Sequence, residues 1–317
     1  MKHSRAVNAP GLQVRRDSIK FQMSGRIMNS LRYEAPSSLG DAIALLTEAA
    51  GTSRILAGGT DIIVQMETDL IEPDLVVDIK KIPELREIVV ENGAFRVGAA
   101  VTGMELTDHA AFCKTWPGVV DGVKLIGSMQ IKGRATMGGN LCNASPAADS
   151  VPALIAAGVI VHIAGPNGLR DVPVENIPIS PGRTSLDKGE IIVSLRFPSR
   201  PAYSGDAYLR MTPRTEMDIA VVGVGVNITL DPGGVCTAAR VAIGAVAPTP
   251  LLVEEAGAAL IGSRLDPPAL ERLAQAAAAA CRPIDDKRGT REYRVKVAGV
   301  LAKRAALLAS ERARRNP

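Results

Sequence analysis

The chain of 317 residues is poor in aromatic side chains and in histidine. Aromatics make up 3% of the sequence, and the histidines are His3, His109 and His162. The core must therefore be built from Ala, Val, Ile and Leu. Neither G-x-S-x-G nor H-E-x-x-H occurs, so no nucleophile or zinc-protease signature stands out. A chain so short of acid–base groups is suited to holding a cofactor that carries the chemistry.

The sequence also lacks paired cysteines and a membrane-length apolar run. The cysteines are scattered, at Cys113, Cys142, Cys236 and Cys281. Their spacing fits neither zinc nor an iron–sulfur cluster, and we interpret them as buried small side chains in a reducing cytoplasm. The longest apolar run, Val151–Ala164, is shorter than the roughly 18 residues of a membrane span and contains His162. We interpret His162 as a satisfied core residue.

Positive charge is concentrated at the N-terminus. Residues 1–27 carry a net charge of +5, whereas the whole chain carries +4, so the remainder is close to −1. Because the part of the chain after residue 27 is nearly neutral, nucleic acid is not expected as its main partner. No apolar stretch follows Arg15-Arg16, which excludes an export signal. We interpret residues 1–27 as a disordered leader or a misassigned start, and we predict a cytoplasmic protein without a membrane span.

Two glycine pairs stand where aliphatic runs give way to helical patterns. The first lies in AGGTD (57–61) and the second in TMGGN (136–140), which continues into NASPAAD (143–149). Glycine lets a backbone approach a ligand closely and tolerates positive φ, and a helix N-terminus binds phosphate. Neither loop is a P-loop or a G-x-G-x-x-G motif. One such pair alone is typical of a tight turn, but two predict a ligand with two phosphates or a nucleotide held at both ends.

The pattern of elements predicts an α/β arrangement followed by a separate C-terminal unit. Strands at 54–57 and 75–78 flank a helix at 61–69, which predicts a parallel pair with the first loop at a strand's C-terminal end. Asn92-Gly93 and Asn167-Gly168 are typical of hairpin turns. Further segments are predicted as helices over 41–46, 117–125 and 150–157, and a strand over 190–197. From Tyr208 onward the pattern predicts three strands, including 219–230 and 235–245, and helices over 252–261, 268–281 and 291–312.

These motifs resemble those of the FAD-binding medium subunit of the molybdenum hydroxylases, which include carbon monoxide dehydrogenase and xanthine dehydrogenase. The resemblance rests on residues 57–61 and 136–149, on EIIVS (190–194) and on RTEMDIA (214–220). It extends from about Met28 to the C-terminal helices. It implies an α+β fold: a two-part FAD-binding domain of the vanillyl-alcohol-oxidase-like (PCMH) type over residues 28–200, divided near 84, and a C-terminal domain over 205–312 with a three-stranded sheet and a helical bundle.

The resemblance also implies an electron-transfer function. FAD would bind this chain, while the molybdenum cofactor would lie on a large partner subunit and two 2Fe-2S clusters on a small one. The complex would be a dimer of heterotrimers in which electrons pass from the clusters through FAD to an external acceptor. No catalytic residue and no metal ligand is implied in this chain itself.

The resemblance implies a set of residues that contact FAD: Leu56, Ala57, Gly58, Gly59, Thr60, Asp61, Ile62, Ile126, Thr136, Gly138, Gly139, Asn140, Ser145, Asp149, Ile192 and Arg210. The two glycine loops would hold the pyrophosphate. Asp149 would accept a hydrogen bond from the hydroxyl-bearing part, Ile192 would pack beside the flavin and Arg210 would lie near the isoalloxazine. Ile126 replaces an aromatic residue near adenine. Alternatively, Arg210 forms a surface ion pair and Asp149 caps a helix.

Two other functions remain open at this stage. A stand-alone FAD-dependent oxidoreductase would need its own substrate pocket and acid–base residues. A non-catalytic nucleotide-binding scaffold would need neither. An absorption spectrum of the pure protein distinguishes a flavoprotein from a scaffold that binds another nucleotide.

Overall fold

A computed structural model describes residues 22–23, 26–27, 31–214 and 218–316. Two short antiparallel strands, β1 (Gln22–Met23) and β2 (Arg26–Ile27), pair with each other. Apart from these strands, the predicted leader lies outside the described residues, as do residues 215–217 of the RTEMDIA motif.

The first folded part is a small parallel sheet with two helices. Its elements are β3 (Arg32–Glu34), α1 (Leu39–Glu48), β4 (Ser53–Leu56), α2 (Ile62–Glu67) and β5 (Leu75–Asp78). The strand order is β3-β5-β4, and both pairings are parallel, which confirms the predicted pair. Ser38 caps α1 by accepting the Asp41 amide N–H at 3.1 Å. The glycine loop at residues 57–61 follows directly on Leu56, the last residue of β4, and so lies at the C-terminal end of that parallel strand, as expected.

The second part is an antiparallel sheet covered by short helices. Its helices are α3 (Gly103–Asp108), α4 (Ala110–Thr115), α5 (Pro117–Lys124), α6 (Met129–Lys132), α7 (Met137–Cys142) and α8 (Ser150–Ala157), with 3-10 turns at Pro83–Leu85 and Val174–Asn176. Its strands are β6 (Ile88–Glu91), β7 (Ala94–Gly98), β8 (Ile160–Gly165), β9 (Gly168–Pro173), β10 (Pro178–Ser180), β11 (Arg183–Thr184) and β12 (Ile191–Phe197). The main sheet has the order β6-β7-β12-β8-β9. Every residue of α8 is buried in the core.

The sequence predicts one of the two hairpin turns correctly and places the other one residue too far along the chain. Asn92 and Gly93 have φ of 52° and 78°, which confirms the primed turn between β6 and β7. The other prediction was wrong by one residue, because the turn lies at Pro166-Asn167 and Gly168 already pairs with Gly165. The φ of 107° at Gly168 shows that this glycine serves the start of β9.

The C-terminal part packs a helical layer on an antiparallel sheet. Its elements are β13 (Ser204–Met211), β14 (Val222–Leu230), β15 (Cys236–Gly244), β16 (Leu251–Leu252), α9 (Glu254–Ala258), α10 (Pro267–Ala280) and α11 (Arg291–Arg314). The sheet has four strands in the order β13-β14-β15-β16, which corrects the expected three. The fourth strand has two residues, too few to show a period in the sequence. A Cβ on Gly205 would lie 2.1 Å from the Ala309 carbonyl oxygen, so glycine permits the close approach of α11 to the sheet.

The second and third parts meet across a closely packed interface that combines apolar contacts with buried ion pairs. A Cβ on Gly225 would lie 2.4 Å from the Pro152 carbonyl oxygen, so α8 lies directly on β14. Arg200 pairs with Asp206 at 2.8 Å, and Asp206 also accepts the Val119 amide N–H at 3.1 Å. None of the helices in the described part of the chain is long and apolar enough to cross a membrane.

Candidate cofactor cleft

A cleft of about 610 Å³ runs between the two glycine loops. We name residues 57–61 the first glycine loop and residues 136–140 the second glycine loop. A third wall comes from residues 186–192, which are the segment before β12 and the first two residues of that strand. The volume falls within the range of about 300–1,000 Å³ usual for ligand and cofactor sites.

Most of the residues predicted to contact FAD line this cleft. They are Ala57, Gly58, Gly59, Thr60, Asp61, Ile62, Ile126, Thr136, Gly138, Gly139, Asn140 and Ile192. Four others, Leu56, Ser145, Asp149 and Arg210, lie outside its lining. Leu56 packs beneath Gly59, and the Ser145 hydroxyl accepts the Ala147 amide N–H at 3.3 Å. The structure thus brings together loops about 80 residues apart in sequence, while the contact of each residue with FAD stays a prediction.

The glycines in these loops meet different physical demands. A Cβ on Gly58 would lie 2.2 Å from the Arg134 carbonyl oxygen, so this glycine lets the first loop touch the segment before the second. A Cβ on Gly138 would lie 2.7 Å from the Ala99 carbonyl oxygen. Gly59 has φ of 81°, a left-handed conformation that favours glycine. Gly58 and Gly138 therefore permit close packing of the protein on itself, a demand that the sequence analysis did not foresee, while their contact with FAD stays a prediction.

The first glycine loop carries backbone donors that have no acceptor in the described part of the chain. Its carbonyls open α2, since Gly59 accepts the Ile63 N–H at 3.1 Å and Asp61 accepts the Gln65 N–H at 2.9 Å. Within the described residues, no hydrogen bond is made by the amides of residues 58–61. Such a row of unsatisfied N–H groups at the end of a helix favours a phosphate. The donor set therefore fits the diphosphate of a dinucleotide.

The second glycine loop is held by its own side chains. Thr136 caps α7 by accepting the Gly139 amide N–H at 2.9 Å. Asn140 accepts the Ser150 hydroxyl at 2.7 Å, which ties the loop to the start of α8. Of the residues that the structure describes, a Cβ on Gly139 would contact only Thr136, at 3.0 Å from its hydroxyl oxygen. Gly139 thus differs from Gly58 and Gly138, because no protein backbone obstructs a side chain there.

Asp149 and Arg210 form a buried ion pair instead of lining the cleft. Arg210 Nη1 lies 2.5 Å from Asp149 Oδ2, and the two side chains are 7% and 12% exposed. Tyr208 donates its hydroxyl to Asp149 at 3.0 Å, and Arg210 also donates to the Leu125 carbonyl at 3.1 Å. Burial raises the pKa of Asp149 to about 6, with Arg210 and Tyr208 opposing the shift.

The two alternatives for this pair are thereby corrected. Arg210 lies in the interior, so its ion pair is not a surface one. Asp149 stands at the position before α8, yet its side chain makes no capping hydrogen bond there because its oxygens bind Arg210 and Tyr208. The pair joins the second part of the chain to β13 of the third, and it holds the backbone next to Ile126.

Several cleft residues were missed by the sequence analysis. They include Gln65, Cys142, Asn143, Lys188 and Glu190. Glu190 is held by Arg170 through two hydrogen bonds of 2.6 Å, and Lys188 donates to the Ala49 carbonyl at 2.8 Å. Gly189, between them, has φ of 85°. The glutamate and the glycine are visible in the sequence, but no local pattern shows that their segment folds against α1.

Two side chains of potentially reactive types, Cys142 and His162, lie in environments that suit a structural role. Cys142 belongs to the cleft lining, and burial raises the pKa of its thiol to about 12, so the thiol stays protonated and is a poor nucleophile. His162 pairs with Asp171 on the neighbouring strand β9, and its side chain is 29% exposed. His162 is therefore satisfied, as expected, but it lies on the half-exposed face of the sheet rather than in the core.

Comparison with known proteins agrees with this geometry. The family described as the FAD binding domain in molybdopterin dehydrogenase matches residues 27–200, and the CO dehydrogenase flavoprotein C-terminal domain matches residues 207–309. The carbon monoxide dehydrogenase medium chain of Afipia carboxidovorans is 35% identical over 91% of this chain and 99% of its own length. A putative xanthine dehydrogenase FAD-binding subunit of Escherichia coli K12 is 31% identical over 86% of this chain and 93% of its own.

Solved structures show the same fold. Reconstituted CO dehydrogenase from Oligotropha carboxidovorans contains a chain with a TM-score of 0.86 and 35% identity, covering 90% of this chain and 100% of that one. Quinoline 2-oxidoreductase from Pseudomonas putida 86 gives 0.83 and 28%, covering 91% and 99%. The protein belongs to the FAD-binding subunits of the molybdenum hydroxylases.

Proposed function

We propose that this chain binds FAD non-covalently in the cleft and transfers electrons as the medium subunit of a molybdenum hydroxylase complex. The single observation that carries the proposal is that the amides of residues 58–61 make no hydrogen bond within the described residues and belong to the lining of a cofactor-sized cleft, which the second glycine loop also lines. Family membership supports the identity of the nucleotide. Bound FAD supplies both one-electron and two-electron redox chemistry.

The side chains and backbone of this protein have distinct tasks in that function. The amides of the first glycine loop would bind the diphosphate, and the open face of Gly139 would let it approach the second loop. Ile62, Ile126 and Ile192 present apolar surface that would exclude water from the flavin and the adenine. The protonated Cys142 thiol favours non-covalent retention, so acid precipitation should release the flavin into the supernatant.

The proposal extends to the assembly. A large subunit would carry the molybdenum cofactor, and a small subunit would carry two 2Fe-2S clusters that deliver electrons to this chain. Support comes from the relatives, which are named medium chains or FAD subunits of dehydrogenases. We further propose a PCMH-type FAD domain, a dimer of heterotrimers and a cytoplasmic location.

One experiment separates this function from its two rivals. Two preparations are compared: the chain purified alone, and the same chain reconstituted with the subunits that co-purify with it from its native source. In each, the reduction of an artificial dye by the substrate of the complex is measured. We expect flavin absorption in the isolated chain but dye reduction only in the complex. Turnover by the isolated chain would favour a stand-alone oxidoreductase. Flavin-free protein that refuses added FAD would favour a scaffold for another nucleotide.

A further inference from the structure

The side chain of Asn143 bridges the two halves of the cleft. Asn143 follows α7 on the side of the second glycine loop, and its Nδ2 lies 3.2 Å from Oδ1 of Asp61, in the first loop. Its Oδ1 accepts a hydrogen bond from Nε2 of Gln65, on α2, at 3.1 Å. All three residues line the cleft. One amide group therefore contacts two points on the opposite wall.

The chemistry of the three groups fixes which way each amide faces. An ionised carboxylate can only accept hydrogen bonds, so Asp61 requires the NH₂ of Asn143. The carbonyl of Asn143 is then left for Gln65, whose own NH₂ must face it. Asp61 makes no capping hydrogen bond to its own helix, and its side chain is thereby available for this contact across the cleft.

Apart from these hydrogen bonds, helix α2 has few contacts that could fix its distance from the second glycine loop. None of its residues is buried, and Ile63 and Val64 are 43% and 54% exposed. Apolar burial usually provides most of the stability of a short helix. The hydrogen bonds from Asn143, together with the contact of Gly58 with Arg134, therefore set the position of α2 and the first glycine loop relative to the second.

We propose that Asn143 is a positioning residue that fixes the width of the cleft between the two glycine loops for the diphosphate of FAD. This inference rests on the proposed function. Asn143 need not touch the cofactor for this role, because it acts through Asp61 and Gln65. The trio of Asp61, Asn143 and Gln65 is named here the loop clasp.

The substitution Asn143→Asp reverses the electrostatics of the loop clasp with almost no change in volume. Two carboxylates would then face each other, which raises the pKa of one of them and repels the loops when both are ionised. We expect the Kd for FAD to rise about tenfold or more at a pH near 8 and to recover towards the wild-type value at about pH 5.5, where the pair shares a proton. The other ionisable groups that line the cleft are common to both proteins, namely Arg54, Cys142, Asp187, Lys188 and Glu190.

A swap of the two side chains provides the rescue. Asp61→Asn combined with Asn143→Asp restores one donor and one acceptor between the loops, and Gln65 still donates to position 143. We expect FAD affinity near pH 8 to return to within about threefold of the wild type. The matched control is Asn176→Asp, the same chemical change at an exposed residue outside the cleft lining, which should leave affinity unchanged at both pH values.

Calorimetric FAD titrations and melting curves of the apoproteins decide the outcome. Should Asn143→Asp fail to fold, Gln65→Glu on the surface of α2 replaces it, because the Asn143 carbonyl oxygen would then face a carboxylate that has no hydrogen to donate, and the same loss is expected. Wild-type affinity in the folded single variant, or no recovery in the folded swap, would overturn the loop clasp alone. A wild-type chain that takes up no FAD would instead overturn the proposed function and the clasp with it.

Discussion

At the scale of residues, glycines of similar sequence context have different functions. Gly58 permits contact between two stretches of the protein's own backbone, Gly59 permits a left-handed φ, and Gly139 leaves an open face. The sequence shows where glycine pairs lie, but it cannot show what a missing Cβ would touch. That information depends on Arg134, which comes from a distant part of the chain.

The first prediction concerns Gly58. We expect Gly58→Ala to lower the free energy of unfolding of the apoprotein by about 1–3 kcal/mol, because the added Cβ would displace the backbone at Arg134. Gly40→Ala is the matched control, since no atom of the described residues lies within 4 Å of a Cβ there and alanine favours α1. Urea unfolding measures both. Equal stability of the two variants would contradict the packing role of Gly58.

The second prediction concerns the pH dependence of Asp149. Burial raises its pKa in the folded chain from 3.8 to about 6, so the folded state holds this proton more tightly than the unfolded state. Its contribution to stability is full below pH 3.8 and is lost as the pH rises through 6. Relative to Asp149→Asn, the wild type should therefore lose about 1–3 kcal/mol between about pH 4 and 7. If the stability difference between the two proteins stayed constant with pH, or changed in the opposite direction, the ion pair with Arg210 would outweigh the effect of burial on the pKa of Asp149.

At the scale of elements, α2 and α8 are opposites. All residues of α8 are buried, whereas α2 buries none. The difference has a direct consequence for local stability, since segments with few buried apolar contacts open at low free energy. A ligand that binds the N-terminus of α2 should stabilise this helix most.

The third prediction follows from that contrast. Amides of Ile62–Glu67 should exchange hydrogen rapidly in the apoprotein and at least about tenfold more slowly with saturating FAD. Amides of Ser150–Ala157 should be protected in both states and serve as the internal control. Hydrogen exchange followed by mass spectrometry measures both peptides. Equal protection of α2 with and without FAD would contradict binding at the first glycine loop.

The accuracy of the sequence-based predictions follows from how local each signal is. The strand at Leu75–Asp78 and the helix at Ser150–Ala157 have the predicted bounds, because each is an apolar run with clear local ends. The two-residue strand Leu251–Leu252 was missed since its pairing with β15 is a tertiary event. The sequence of residues 186–190 has no helical or strand periodicity from which its position could be predicted. Contacts with Arg170 and with the C-terminal end of α1 set its place in the cleft wall instead.

At the scale of the whole molecule, ion pairs join the second and third parts. Arg312 reaches Asp121 at 2.6 Å and the Asp206 carbonyl at 2.8 Å, while Arg200 lies 4.6 Å from the centre of the Trp116 ring. The sequence analysis placed Asp149 and Arg210 near FAD, but it could not show that they bind each other across this interface. Their pairing depends on the packing of α8 against the C-terminal sheet.

The fourth prediction tests the interface. Asp206→Ala leaves Arg200 buried without its partner, since the two side chains are 4% and 5% exposed, and should cost about 3–5 kcal/mol in free energy of unfolding. Arg315→Ala removes an exposed pair with Glu311 and should change stability by less than about 1 kcal/mol. Chemical denaturation compares the two. A small loss in Asp206→Ala would contradict a closely coupled interface.

The central claim is that FAD binds between the two glycine loops, and calorimetric titration of Gly139→Val with FAD tests it most directly. Among the described residues, the Cβ of a side chain at Gly139 would meet the Thr136 hydroxyl alone, yet a branched side chain would fill space at the second loop that the diphosphate needs. We predict at least about a 100-fold rise in Kd, or some 2.7 kcal/mol, with the fold retained in melting curves. Gly40→Val, on the outer face of α1, should bind FAD as the wild type does. Wild-type affinity in folded Gly139→Val would contradict the assignment of the cleft.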